Sequence, residues 1–358
     1  MVRGSQNLFV LTDTGDLYGG GSNYYGGLGL GTERCNSVGF ALITTGVSDV
    51  ACGSGHTLIL KGDVAYSVGR NYSGQLGNGG TVDTQSFAPM NGAGASGVTA
   101  VYAGGSGSFV NKGGTLYACG YNYNGQLGIG STANVSTLTA CLGAGSSGVT
   151  NLACNDHTII LKGDVVWGTG YNIYGQLGIG ATGDRSTFTA AVGQGTSGVN
   201  AIAVSYTQSH ILKTGVVYGA GYNNFGQIGD GTTTQRHSFT AAIGIATAGV
   251  TAIAGGMYHS SLIKGGSVYC TGSNKGQFGD GTNVSSLQYT PAIGHGSAGV
   301  TTISSNTGSN IVSMAKGKEV YSSGTNYGSP AGQSISSGAS VIGAVPSVNI
   351  FTKCKMLF

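Results

Sequence analysis

The stretch Gly120-Tyr-Asn-Tyr-Asn-Gly-Gln-Leu-Gly-Ile-Gly130 decides the reading of this chain, because the chain repeats it. It returns as Gly170-Tyr-Asn-Ile-Tyr-Gly-Gln-Leu-Gly-Ile-Gly180 and as Gly221-Tyr-Asn-Asn-Phe-Gly-Gln-Ile-Gly-Asp-Gly231, with looser copies beginning at Gly21, Gly69, Gly272 and Gly324. The motif asparagine stands at 23, 71, 122, 172, 223, 274 and 326, at intervals of 48, 51, 50, 51, 51 and 52 residues. A period of that length marks an array of units, none of which buries its own apolar face alone.

Working outward from the motif, each repeat reads as four short strands. A strand ending in an aromatic precedes it: Tyr18, Tyr66, Tyr117, Trp167, Tyr218, Tyr269 and Tyr321. Before that strand comes hairpin chemistry such as Lys61-Gly-Asp, Lys162-Gly-Asp or Lys264-Gly-Gly. Upstream again lies an apolar strand, Thr57-Leu-Ile-Leu or Thr158-Ile-Ile-Leu, and after the motif comes Phe188-Thr-Ala-Ala-Val or Phe239-Thr-Ala-Ala-Ile. A linker (Gly193-Gln-Gly-Thr-Ser-Gly-Val) and a further strand, as in Thr251-Ala-Ile-Ala, complete the unit. Seven such units predict an all-β chain, a single seven-bladed β-propeller domain over 1–358 with four antiparallel strands per blade. The chain begins at a second strand, 7–12, and Val348-Asn-Ile-Phe matches a missing first strand such as 300–303. The expectation is therefore closure by N- and C-terminal strands sharing one blade, which hides the open edges.

Composition agrees. The 70 glycines and 4 prolines suit tight turns, while 40% hydrophobic residues and 19 tyrosines exclude a disordered chain. A net charge of +3 without any basic run argues against a nucleic-acid partner. No apolar run approaches the ~18 residues of a membrane span. The opening Met1-Val-Arg-Gly-Ser lacks the apolar stretch of a signal peptide, so a cytoplasmic origin is expected. The seven cysteines, an odd number without Cys-x-x-Cys spacing, read as small buried residues, with disulfides left open.

The signature Gly-x-Asn-x-x-Gly-Gln-Leu-Gly-x-Gly, together with Gly53-Ser-Gly-His56-Thr, Asn155-Asp-His157-Thr and Gly256-Met-Tyr-His259-Ser, resembles the regulator of chromosome condensation repeat family over essentially the whole chain. The resemblance implies the seven-bladed propeller. The family's founding member is an exchange factor for the small GTPase Ran and binds chromatin, so the resemblance also brings exchange and chromatin binding as one expectation. This chain lacks the wedge-like insertion and basic tail tied to those activities. It also departs from the motif at Asn274-Lys-Gly276, one residue short, and at Tyr327-Gly-Ser-Pro330.

No catalytic residues, cofactor or metal are expected. The Gly-x-Gly pieces have no helix behind them to bind phosphate, so the glycines supply turns, and Gln75, Gln126, Gln176 and Gln227 bond local backbone. His56, His157 and His259 share one repeat position, which a ring holds apart, and read as structural. Two rings of equivalent residues qualify as interaction surfaces. Lys61, Lys112, Lys162, Lys213, Lys264 and Lys316 form a charged rim at the hairpin turns, offset by Asp13, Asp16, Asp63, Asp164 and Glu319. Tyr24, Tyr25, Tyr72, Tyr123, Tyr174, Phe225 and Tyr327 lie in or beside the motif loops, either packed between loops or offered to a partner.

The low charge, short loops and near-verbatim repeats lead to the expectation of a non-catalytic structural propeller. Its foremost form is a bacteriophage or viral particle component, a decoration or tail-associated protein contacting other subunits in a virion. A receptor- or glycan-binding module using the tyrosine-rich face is the alternative, and the exchange or chromatin regulator a further one.

Overall fold

The structure is a computed structural model and describes residues 2–3, 7–31, 38–143, 147–305, 310–317, 319–325 and 340–341. These residues form seven four-stranded antiparallel sheets, one for each sequence repeat. In chain order the blades run 2–44, 49–89, 100–140, 149–190, 199–241, 250–291 and 302–341. The fold is the seven-bladed β-propeller that the repeat implies.

Blade 4 shows why the sequence takes this form. Its strands Val149–Cys154, His157–Lys162, Val165–Gly170 and Arg185–Ala190 follow one another as a meander. The second strand is buried along almost its whole length, because neighbouring blades cover both of its faces. Hence it reads as a continuous apolar run rather than an alternation. The first strands of successive blades pack against one another around the axis, and the fourth strands lie outermost. The apolar clusters straddle blade boundaries: Phe109 and Leu116 of blade 3 pack with Leu152, Ile160 and Phe188 of blade 4. Ile159 and Leu177 of blade 4 pack in turn with Ile202, Ile211 and Phe239 of blade 5. Among the described residues, blades 2 to 6 thus each contribute to two cores, as stacked repeats must.

Two glycines mark where the backbones meet. A Cβ on Gly104 would lie 1.9 Å from the carbonyl oxygen of Cys154, so the inner strands of blades 3 and 4 touch where only glycine fits. Gly170, at φ +98°, follows a register shift between Gly168 and Gly170 and turns the third strand into its motif loop. The same shift recurs at Gly69, Gly120, Gly221 and Gly272.

Buried polar pairs latch the blades together. His56 Nε2 lies 2.9 Å from Ser108 Oγ of the next blade, and that hydroxyl donates to the carbonyl of Gln75 at 2.6 Å. His157 makes the equivalent bond to Ser209 at 2.7 Å, and both pairs are 52 residues apart. Between blades 5 and 6, His210 Nε2 meets Ser260 Oγ and the Gln227 carbonyl, both at 3.1 Å. Fifty-two residues beyond His259, however, stands Ile311, which has no hydroxyl, and both ring nitrogens of His259 are buried without a partner among the described residues. Burial lowers the pKa of His56, His210 and His259 to about 4 and that of His157 to about 3. All four rings are therefore neutral at pH 7; His56, His157 and His259 share the repeat position, and His210 stands two residues beyond it in blade 5.

The first-strand place in blade 1 differs from expectation. It is held by Val2–Arg3, which pairs with Asn7–Leu11 through Val2↔Phe9 and Arg3↔Leu8. Closing a hairpin of a few residues costs far less chain entropy than returning a segment from the other end. The segment 348–351, expected to fill that place, lies outside the described residues.

Cys52, Cys119, Cys141, Cys154 and Cys270 are free thiols. Desolvation pushes the Cys52 thiol up to about 12 and the other four higher still, as suits small apolar core residues. Among the described residues no group of three or more His, Cys, Asp or Glu gathers into a metal-binding set, and no helix is long and apolar enough to cross a membrane.

Candidate functional site

Each motif loop is a hydrogen-bonded unit built around its asparagine. The Asn172 side-chain carbonyl accepts the N–H of Leu177 at 3.0 Å, while its amide donates to the carbonyls of Ala181 and Gly183 at 2.9 and 3.1 Å. Gln176 Oε1 accepts the N–H of Tyr174 at 3.1 Å, and Gln75, Gln126 and Gln227 repeat that bond. The Asn172 amide and these glutamine Oε1 atoms are thus bonded within the loop, while the Nε2 groups of Gln75, Gln176 and Gln227 are buried without a partner among the described residues.

The loop also reaches sideways. A Cβ on Gly175 would come within 2.5 Å of the Cα of His237, so the blade 4 motif rests directly on the outer strand of blade 5. Two side chains between the Asn and the Gly are consequently sorted by position. The first points to solvent: Tyr72 is 79% exposed, Tyr123 74% and Tyr24 51%. The second turns toward the next blade, as Tyr25, Tyr174 and Phe225 do. Tyr327 lies outside the described residues.

The second set is part of a larger aromatic tract. Tyr174 packs edge-on against Tyr171 of its own loop and against Tyr222 of the next, with centroids at 6.1 and 5.0 Å. Tyr222 continues to Phe225 at 6.3 Å, and Phe225 to Tyr258 of blade 6 at 5.3 Å. Tyr121 stacks on Tyr123 in blade 3 at 6.1 Å. At the junction of blades 1 and 2 the arrangement changes: the Arg70 guanidinium lies over the Tyr25 ring at 5.1 Å. Arg70 occupies the position before the motif asparagine, where blades 3, 4 and 5 carry Tyr121, Tyr171 and Tyr222.

Sequence reasoning missed those three tyrosines, and with them Tyr206, Tyr258 and Asp156. The last three sit between the first and second strands, in loops that open at the same end of the blades as the motif. Asp156 is half-buried, its carboxylate accepts a hydrogen bond from the Tyr206 hydroxyl, and its backbone carbonyl accepts the N–H of Tyr171 at 3.1 Å. Desolvation raises its carboxyl above the usual range despite that bond. Its charge in turn raises the phenol of Tyr206, while Tyr121 is raised first by burial and then by Asp156. Elsewhere on this face, burial alone would raise the Asp230 carboxyl, but hydrogen bonds from Arg236 and Thr232 hold it below the usual range.

The lysine rim lies at the opposite end and is tied inward. Lys61 Nζ donates to Thr44 Oγ1 at 2.7 Å, Lys112 to the Ala93 carbonyl at 3.2 Å and Lys264 to the Ile245 carbonyl at 3.1 Å. Lys162 and Lys213 reach Ser147 and Gln194. The stems of Lys112, Lys162, Lys213, Lys264 and Lys316 lie over Gly97, Gly148, Gly198, Gly249 and Gly299 of the linkers. Asp63 and Asp164 accept the N–H groups of Gly97 and Gly198 from the same turns. These ammonium groups and carboxylates hold the linkers in place.

A ring of short-looped, repeat-built blades defines the class, a repeat β-propeller, and one face of it carries the aromatic loops. Residues 14–60 match the Regulator of chromosome condensation (RCC1) repeat. The chain is 33% identical over 135 residues to the ultraviolet-B receptor UVR8 of Arabidopsis thaliana, a match covering 36% of this chain and 31% of that protein. The matched stretch is under a third of the length of the curated relatives. In fold it is similar to human WBSCR16, with a TM-score of 0.72 at 20% identity, covering 85% of this chain and 84% of that one. It is similar also to Prp20p of Saccharomyces cerevisiae, with a TM-score of 0.70 at 16% identity, covering 85% and 79%. These relatives lend no support to a place in a virion.

Proposed function

We propose that this chain is a non-catalytic interaction propeller that binds a protein partner on the loop face of blades 4–6. The observation that carries the reading is the aromatic tract from Tyr171 to Tyr258, a run of contiguous rings that leaves Tyr206 43% and Phe225 40% exposed. Rigid aromatics offer contact area at low entropic cost, and they concentrate at protein interfaces. Binding to proteins is also in keeping with Prp20p, whose structure was described with its binding to Gsp1p and histones. The lysine rim, committed to the linkers, serves the fold rather than a partner. Exchange of nucleotide finds less support, since the regular spacing of the motifs leaves no room for an insertion.

The test is site-specific photo-cross-linking in the native host, with a benzophenone side chain placed at position 123 or 206 on the loop face and at 162 or 213 on the opposite face. Cross-links to a common protein from 123 and 206 alone support the reading. Cross-links confined to 162 and 213, or a face that captures only polysaccharide, overturn it.

A further inference from the structure

Resting on that reading of the loop face, we propose that the tract receives a lysine- or arginine-bearing segment of the partner protein, its cation paired with Asp156 and stacked on Tyr171 and Tyr206.

Three observations meet here. The first is the carboxylate. Asp156 is bonded to the Tyr206 hydroxyl, and among the described residues no lysine or arginine pairs with it. A half-buried carboxylate without a counter-ion is an open place for a cation, since the desolvation already suffered strengthens any charge brought to it. The second is what surrounds it. Tyr121, Tyr171 and Tyr206 come from three successive blades, and Tyr171 leads through Tyr174 to Tyr222, Phe225 and Tyr258. Ring faces attract ammonium and guanidinium groups, and guanidinium most often stacks on them. The third is the chain's own example. Where blades 1 and 2 meet, the guanidinium of Arg70 already covers the Tyr25 ring. Tyr174 and Phe225 hold the equivalent place in blades 4 and 5, but the position of Arg70 is there taken by Tyr222 in blade 5 and by Ser273 in blade 6. The loop geometry that holds a guanidinium on a ring at one junction thus recurs at two others, where a tyrosine ring or a serine stands in place of the arginine.

A sugar would use the same rings and could donate a hydroxyl to the carboxylate, but it brings no charge to offset the half-buried anion, as a cation does. An acidic segment would be repelled by it. The occupant is therefore cationic.

The test is selection from a displayed random dodecapeptide library on the intact chain, with a glycan array as a parallel arm. Peptides dependent on the tract are those lost on the Tyr171→Ala/Tyr222→Ala variant, checked for an unchanged far-UV spectrum. They are expected to be enriched in Lys and Arg and to bind Asp156→Asn about tenfold more weakly, the loss of one charge-assisted pair. Lys213→Ala, on the opposite face, is expected to bind them unchanged. Tract-dependent peptides without cations, equal binding to Asp156→Asn, or a glycan held by the tyrosines regardless of Asp156 would each overturn the cation while leaving the loop face standing. A library with no tract-dependent member overturns the loop face itself.

Discussion

Acid is expected to open this propeller well before its carboxylates protonate. The groups responsible are His56, His157, His210 and His259, each essentially inaccessible to solvent. An unfolded histidine titrates near 6.5, whereas burial lowers three of these to about 4 and His157 to about 3. The folded state therefore binds fewer protons than the unfolded one between those values. Stability is complete above about pH 6.5 and falls as the pH drops toward 4. At about pH 5 each ring forfeits about 2 kcal/mol, or about 8 kcal/mol together, against a total of about 5–15 kcal/mol for an ordinary domain. The structural cause is plain at Nδ1 of His157, His210 and His259, which is buried without a partner. Protonation would place an unsatisfied donor and a charge there. The raised carboxyl of Asp156 works in the opposite sense and offsets a little of the loss. Urea unfolding followed by the fluorescence of Trp167, the one tryptophan, should show the midpoint collapsing between about pH 7 and 5. His259→Gln, which takes the residue of the same position in blade 5, should remove about a quarter of that sensitivity. A midpoint that does not move over this range refutes the argument.

Other expectations can be checked alongside. Gly104→Ala should destabilise the fold by roughly 3 kcal/mol or more, because its methyl meets backbone of the next blade rather than a movable side chain; calorimetric melting measures it. Asn172→Ala removes three loop hydrogen bonds and strands buried groups, so a loss of about 3 kcal/mol is expected in urea titration, with the far-UV spectrum retained. The thiols of Cys119, Cys141, Cys154 and Cys270 should resist labelling by a maleimide until denaturant is added, read by peptide mapping. Labelling of any of them in the native protein would contradict their burial.

The architecture was legible because it is periodic. Hairpin turns, apolar second strands and the asparagine motif recur in register, and the propeller needs nothing more to be inferred. The aromatic face was only half legible. Aligning repeats compares Tyr123 with Tyr72, residues that never meet, and it hides Tyr174 from Tyr222, which stand 5.0 Å apart. That neighbourhood arises because each motif loop overhangs the following blade, a rotation that no single repeat encodes. Asp156 and Tyr206 escaped for the same reason, each being peculiar to its own blade. The lysines were found but their task was not. A ring of six equal charges suggests a surface, while the small linker glycines beneath the stems, which make each lysine a clamp, carry no charge pattern to notice.

The alternation of histidine and hydroxyl around the ring has one more consequence. A closed circle of identical joints would share any load equally and have no preferred place to part. This circle is not uniform. Where blades 2 and 3, 4 and 5, and 5 and 6 meet, an imidazole is fastened to a serine, but between blades 6 and 7 the imidazole of His259 finds Ile311 at the matching place. The last joint is held by lesser links, Ser261 to Ser305 at 3.2 Å and Ser323 to the Gln277 carbonyl at 2.8 Å. Amide exchange should therefore be faster at the blade 6–7 joint than at the latched blade 4–5 boundary.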